Sequence, residues 1–226
     1  MNKKKNLLLS ASTYAVSVLL GLTAAPITAN ASKLLPPENP RSVAFIKKCI
    51  STTASLSQES KDFIKEVAER GIGFLKNEEL TEEERRQEFR NMLKNNFDMN
   101  TIGRFALGRY WRSASPAQQE EYLGLFESMI VEIYSRRFGD YNGEKFEILS
   151  ARELGKTDVI VSSRIVPKNN VPIALDWRVR QKKGRFVIID VMVEGVSMAL
   201  TQRSDFASVI QRGGGNIDVL LNHLRQ

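Results

Sequence analysis

Phe186-Val-Ile-Ile-Asp-Val-Met-Val-Glu-Gly-Val-Ser197 is built almost wholly from β-branched, aromatic and other apolar residues until Gly195 closes it, and it reads as a strand. Strand side chains alternate. Alternation places Phe186, Ile188 and Met192 with Asp190 and Glu194 on one face, and Val187, Ile189, Val191 and Val193 on the other. One face is apolar and the second is mostly so, which predicts a strand covered on both sides.

Working back from this stretch, three more runs follow a period of two: Lys145 to Leu154, Asp158 to Val166 and Val171 to Gln181, with Arg185 to Glu194 as the fourth strand. Their separators are Gly155-Lys-Thr157, Pro167-Lys-Asn-Asn170 and Lys182-Lys-Gly184, all turn chemistry. Short turns between successive strands predict an antiparallel meander. In the third run Ile173, Leu175, Trp177 and Val179 face the helices, while Ala174, Asp176, Arg178 and Arg180 face water. Pro172 marks the entry to that strand or a place at an edge.

Upstream the period is helical. Val43, Ile46 and Ile50 mark a helix from Arg41 to Leu56, and Ser57 is placed to cap a second with Phe63, Ile64, Val67, Ala68 and Leu75 along one stripe. Thr81-Glu-Glu-Glu84 is a capping box that puts acids at the positive end of the helix dipole. Asp98 caps a helix from Met99 to Tyr110, in which Gly103 and Gly108 each cost about 1 kcal/mol relative to Ala unless close packing needs them. Ser115, Pro116 and Gln118 start a long helix that continues to about Gly139. Downstream of the strands, Arg203 to Ile210 and Ile217 to Leu224 read as two short helices around Gly213-Gly-Gly215. Helices grouped before a four-stranded antiparallel sheet, with a short helical tail, define an α+β domain.

The N-terminus differs from the rest. Lys3, Lys4 and Lys5 precede an apolar stretch from Leu7 to Ala25, and Ala29-Asn-Ala31 follows, the pattern of a secretory signal peptide; an uncleaved anchor is the alternative. Residues 1–31 are therefore expected to be a signal peptide and 32–40, with three prolines in its last five positions, an extended tail. Residues 41–226 then form a single domain. Removing three lysines and no acid takes the formal net charge from +7 to +4, a surplus that suits anionic lipids and is too small to argue for nucleic acid. Cys49 is the only cysteine, so an internal disulfide is excluded and the residue reads as a small buried hydrophobe.

Few enzyme chemistries fit this inventory. His223 is the one histidine, which leaves a histidine metal site or a Ser-His-acid triad almost nothing to draw on. Glu194-Gly-Val-Ser197 is no nucleophile elbow, because Ala199 stands where the second glycine belongs. Asp190 and Glu194 are the sharpest polar candidates. Four residues apart on one strand face, they sit ~13 Å from each other, too far to act as a pair on one bond. Asp190 alone in a pocket could serve as a base; a structural anchor at Asp190 and a strand-end position for Glu194 are the preferred readings.

Two segments carry a family resemblance. Phe105-Ala-Leu-Gly-Arg-Tyr-Trp-Arg112, with Ser113-Ala-Ser-Pro-Ala-Gln-Gln-Glu120, resembles the central helical motif of the MlaC family. Asp190-Val-Met-Val-Glu-Gly-Val-Ser-Met198, with Arg203-Ser-Asp-Phe206, resembles that family's last-strand signature. The similarity runs from about Ser42 to Leu224. It implies a periplasmic phospholipid carrier with a nuclear transport factor 2-like cone fold, acyl chains between sheet and helices, and phospholipid as cargo rather than any cofactor or metal. The implied partners are an inner-membrane lipid-transport ABC complex and an outer-membrane lipoprotein–porin complex, and no catalytic residue is implied.

Face and periodicity independently nominate an apolar wall of Phe105, Tyr110, Trp111, Phe126, Met129, Ile133, Val161, Leu175, Trp177, Ile189 and Val191. These residues suit acyl chains or an ordinary filled core equally. Three other readings remain open at this level: a hopanoid-linked carrier of the same family, an isomerase-like enzyme using Asp190, and an interaction module with a filled core.

Overall fold

A computed structural model describes the backbone of residues 40–226 except 169, and side chains from Leu56 onward except at 139. The cleavage site near Ala31, residues 32–39 of the tail expected over 32–40, and the burial assigned to Cys49, Val43, Ile46 and Ile50 lie outside the described residues; Pro40, expected to end that tail, begins a helix instead. Leu56–Gln226 forms a compact unit of its own.

The first helix, α1, is Pro40–Lys76 and runs straight through Ser57, so the two separate helices expected there are one. After it come α2 (Glu82–Asn96), α3 (Met99–Leu107), a 3-10 turn at Gly108–Arg112 and α4 (Pro116–Ser135). Both capping boxes form: Thr81 Oγ1 accepts from Glu84 N while Glu84 accepts from Thr81 N, and Ser115 and Gln118 do the same. Asp98 caps α3 through Thr101 N at 3.1 Å. The helix expected to reach Tyr110 stops at Leu107, because Gly108 takes φ 60° and breaks the α-helical path. Likewise α4 ends at Ser135, and a separate 3-10 turn covers Phe138–Asp140.

The strands are β1 (Lys145–Leu154), β2 (Asp158–Val166), β3 (Ile173–Lys182), β4 (Arg185–Val193) and β5 (Val196–Ser197), in that order across one antiparallel sheet. The expected four strands are thus five. Glu194 (φ 50°) and Gly195 (φ 78°) turn the chain tightly enough for Val196–Ser197 to pair back on β4. Two further helices, α5 (Met198–Arg212) and α6 (Ile217–Leu224), complete the chain.

The alternation expected for Phe186–Val193 fails at one residue. β4 pairs Asp190 with Arg178 but Ile188 with Val179, leaving Ile189 as the extra residue of a β-bulge. Cross-strand partners share a face, so Phe186, Ile188, Val191 and Val193 point one way, and Val187, Asp190 and Met192 the other. Ile189 and Val191, expected together, are separated.

Two hydrophobic clusters result. The first is helical: Tyr122, Phe126 and Phe206 meet at ring distances of 5.8–6.2 Å, surrounded by Leu107, Ile210 and Leu220 from α3, α5 and α6. Tyr122 Oη donates to Gly103 O at 2.9 Å, and burial pushes its phenol well above the usual range, so it remains a neutral donor. Packing around Gly103 is close: a Cβ would lie 2.8 Å from Leu123 Cδ2 and 3.2 Å from Phe126 Cδ1, so those side chains would have to shift for a larger residue. The second cluster joins Ile64 and Val67 of α1 to Val159, Val161, Val179 and Ile188 of the sheet. Helix ends meet the edge of β4 directly: Asp98 N donates to Ile188 O at 2.9 Å.

Candidate functional site

One face of the sheet is apolar from β1 to β4. Register aligns Phe146 with Ile165 and Ile173, Ile148 with Ser163, Leu175 and Val193, Ala151 with Val161, Trp177 and Val191, and then Val159 with Val179 and Ile188. Coverage of this face is uneven. Val159, Val161, Val179 and Ile188 are fully buried under α1, whereas Phe146, Ile148, Ile165, Trp177, Val191 and Val193 are only half-buried and Ile173 is 39% exposed. Trp177 is held in place by Nε1–H donating to Ser163 Oγ at 2.9 Å, and Ser163 Oγ donates to Leu175 O. The polar atoms of Ser163 and Trp177 are therefore satisfied locally, whereas Glu153, opposite Val159 on the same face, keeps a buried Oε1 without a hydrogen-bond partner.

The eleven nominated wall residues do not form one surface. Val161, Trp177 and Val191 belong to the sheet cluster, and Leu175 is buried on the same face. Tyr110 and Phe126 are buried inside the helical cluster, with Trp111 and Met129 packed against it. Ile189 is buried at the bulge, and Phe105 and Ile133 are exposed at 42% and 38%. Helical periodicity nominated Phe105 and Ile133, which are exposed, and did not say which of two cores an apolar residue joins.

Asp190 is an anchor. Its carboxylate accepts from Ser197 Oγ at 2.6 Å, Ala199 N at 3.1 Å and its own neighbour Val191 N at 2.9 Å, tying β4 to the start of α5. Glu194 sits in the β4–β5 turn and accepts from Ala174 N. Neither carboxylate lines either of the two depressions described below. On the sheet's other face, Asp158 is 4% exposed and binds two arginines: Arg178 through Nε (3.0 Å) and Nη2 (2.8 Å), and Arg180 through Nε (2.7 Å) and Nη2 (2.8 Å). The Arg180 hydrogen bond acts most strongly on this carboxyl; burial opposes it and Arg178 reinforces it, and the pKa falls to about 2. The arginines expected simply to face water are half of this clamp.

Sequence reasoning missed a second group of arginines. Arg104 and Phe105 at the end of α3, Gly108, Arg109, Trp111 and Arg112 of the 3-10 turn, and Arg203 of α5 line a depression of about 370 Å³. A second depression, of about 400 Å³, has mixed charge: Lys182 pairs with Asp98 at 2.6 Å and Lys94 with Glu127 at 3.7 Å. The signal for the first was present, since no Asp or Glu occurs between Asp98 and Glu120 while three arginines do. Among the described residues no group of His, Cys, Asp and Glu is placed to hold a metal ion, and no helix is long and apolar enough to cross a membrane.

Comparison with known proteins agrees with this architecture. The family model described as MlaC protein matches residues 65–226. The intermembrane phospholipid transport system binding protein MlaC of Haemophilus influenzae is 30% identical over 141 residues, 61% of this chain and 65% of that protein. The toluene tolerance protein ttg2D of Pseudomonas putida is 21% identical over 110 residues, 49% of this chain and 51% of that one. The chain thus spans between half and two thirds of these relatives' lengths. A solved structure of a phospholipid-binding protein from Ralstonia solanacearum, in complex with a phospholipid, superimposes with a TM-score of 0.64 at 23% identity, covering 73% of this chain and 93% of that one. That match shows a shared fold. With the family model spanning most of its length, the chain belongs to the MlaC family.

Proposed function

We propose that this protein is a non-enzymatic phospholipid carrier of the periplasm, working with a lipid-transport system. The observation that carries the reading is the unevenly covered apolar face of the sheet, where Ile148, Trp177, Val191 and Val193 stay half-buried and Ile173 exposed. Acyl chains stabilise such a surface by about 0.8 kcal/mol for each methylene removed from water, so a two-chain lipid needs few polar contacts. Val161, Leu175, Trp177 and Val191 are the nominated residues we assign to this wall. The named activities of the Haemophilus and Ralstonia proteins support phospholipid as the cargo.

In this reading the Ala29-Asn-Ala31 site releases the chain after export. The carrier then moves lipid between the outer and inner membranes, exchanging it with an inner-membrane ABC complex and an outer-membrane lipoprotein–porin complex. We read the sheet with α1 on its apolar face as half of a nuclear transport factor 2-like cone. Solvent extraction of the purified protein and mass spectrometry test the cargo: co-purifying phospholipid is expected. A protein that carries none and moves none between vesicles would sink the reading.

A further inference from the structure

Four arginines converge on the 370 Å³ depression without a carboxylate among them. Arg136, Arg164, Arg178, Arg180 and Arg225 each pair with an acid elsewhere in the described unit. Among the described residues Arg104, Arg109, Arg112 and Arg203 do not, and the one polar partner of the group is Tyr110 Oη, which accepts from Arg109 Nη2 at 2.9 Å. Three of the four lie against aromatic rings. Arg104 lies 5.1 Å from the Trp111 ring centre, Arg109 4.9 Å from Tyr110 and Arg203 5.2 Å from Phe105.

Arg203 also lies close to Gly108. A Cβ at Gly108 would come within 2.9 Å of Arg203 Nε, so only glycine lets the guanidinium lie there, and the φ of 60° that breaks α3 is part of the same arrangement. One continuous segment, α3 with its 3-10 turn, and the distant α5 thus present cations around one concavity. Stacking leaves the guanidinium edges free to donate, and planar donors match the oxygens of a phosphate. Like charges held together repel one another, and an anion between them removes that penalty. Restricting their rotamers in advance also lowers the entropy lost on binding.

We propose that Arg104, Arg109, Arg112 and Arg203 form a binding site for a phosphate anion, carried by a lipid headgroup or free in solution. The headgroup source rests on the phospholipid reading above; the site itself does not. Phe105, 42% exposed beside Arg203, and Leu200, 58% exposed three residues before Arg203 on α5, supply apolar surface next to the cations for the glycerol and first methylenes of a lipid.

Calorimetric titration of the purified protein with inorganic phosphate and with dihexanoyl phosphatidylglycerol below its micellar concentration tests this. Both are expected to bind, and Arg104→Gln with Arg203→Gln is expected to weaken both by tenfold or more. Lys183→Gln with Arg185→Gln, which removes the same charge from the second depression, should change neither by more than twofold. Tighter binding of the lipid than of phosphate identifies the headgroup as the source, and equal binding identifies free phosphate; either supports the site. Affinities that ignore the arginine substitutions, or that fall equally in the lysine–arginine control, overturn it. Extraction of the same preparations separates the two readings. Co-purified phospholipid with arginine-independent anion binding removes the site alone, whereas anion binding at the arginines without any lipid removes the cargo alone.

Discussion

Replacing Asp158 by Asn removes the charge at the centre of the Arg178–Arg180 clamp while keeping its size. In the folded protein the Asp158 carboxyl has a pKa of about 2 against an ordinary 3.8, a difference that corresponds to about 2 kcal/mol. Because the folded pKa is depressed, this contribution is complete above the unfolded value and is lost as pH falls through the folded one. The two arginine side chains are 39% and 35% exposed, so screening makes 2 kcal/mol an upper figure. Urea denaturation of wild type and Asp158→Asn should therefore show a stability gap whose charge-dependent part is about 1–2 kcal/mol at pH 7, constant down to about pH 5. The gap should narrow between about pH 4 and pH 2, and shrink at high salt. A gap that stays flat over that range would refute the argument, because it would mean Asp158 acts by shape and hydrogen-bond count rather than by charge.

Three further outcomes follow from the same geometry. Ser197→Ala deletes both the hydroxyl donor to Asp190 and the N-cap acceptor for Leu200 N (3.0 Å), and should cost about 1–2 kcal/mol in urea midpoint measurements. Gly108→Ala forces a side chain into a glycine-only backbone conformation and against Arg203, so a loss of about 1–3 kcal/mol is expected by thermal unfolding. Val191→Glu places a charge on the half-buried sheet face; extracted phospholipid should fall to background while the circular dichroism spectrum is kept, and retained lipid would show that Val191 is no part of the wall.

Much of the secondary structure was legible locally because its causes are local. Thr81, Asp98 and Ser115 act on backbone N–H groups within three residues, so their helix starts could be read directly from the chain. Turn residues between Leu154 and Arg185 set the strand ends to within two residues for the same reason. The arginine depression was half visible, as an acid-free basic segment from Arg104 to Arg112, but Arg203 joins it only across α3 and α5. The division of apolar helical residues between two cores was not visible, because periodicity names a face and not the neighbour that covers it.

The strand at Phe186 shows where that limit lies. Its residue types determined by themselves that it is a strand, that it is largely buried, and that Asp190 needs partners. Which side chains share a face was decided by pairing with β3, where the bulge at Ile189 resets the alternation and sends Val191 to the apolar wall with Ile188. Asp190 stands next to the slipped position, but the four apolar residues before it carry no polar alternation that would mark the slip, and the bulge is set by pairing with another strand. Sequence therefore determined that this strand is apolar on most of both sides, and only the tertiary structure decided which of its residues share the unevenly covered face.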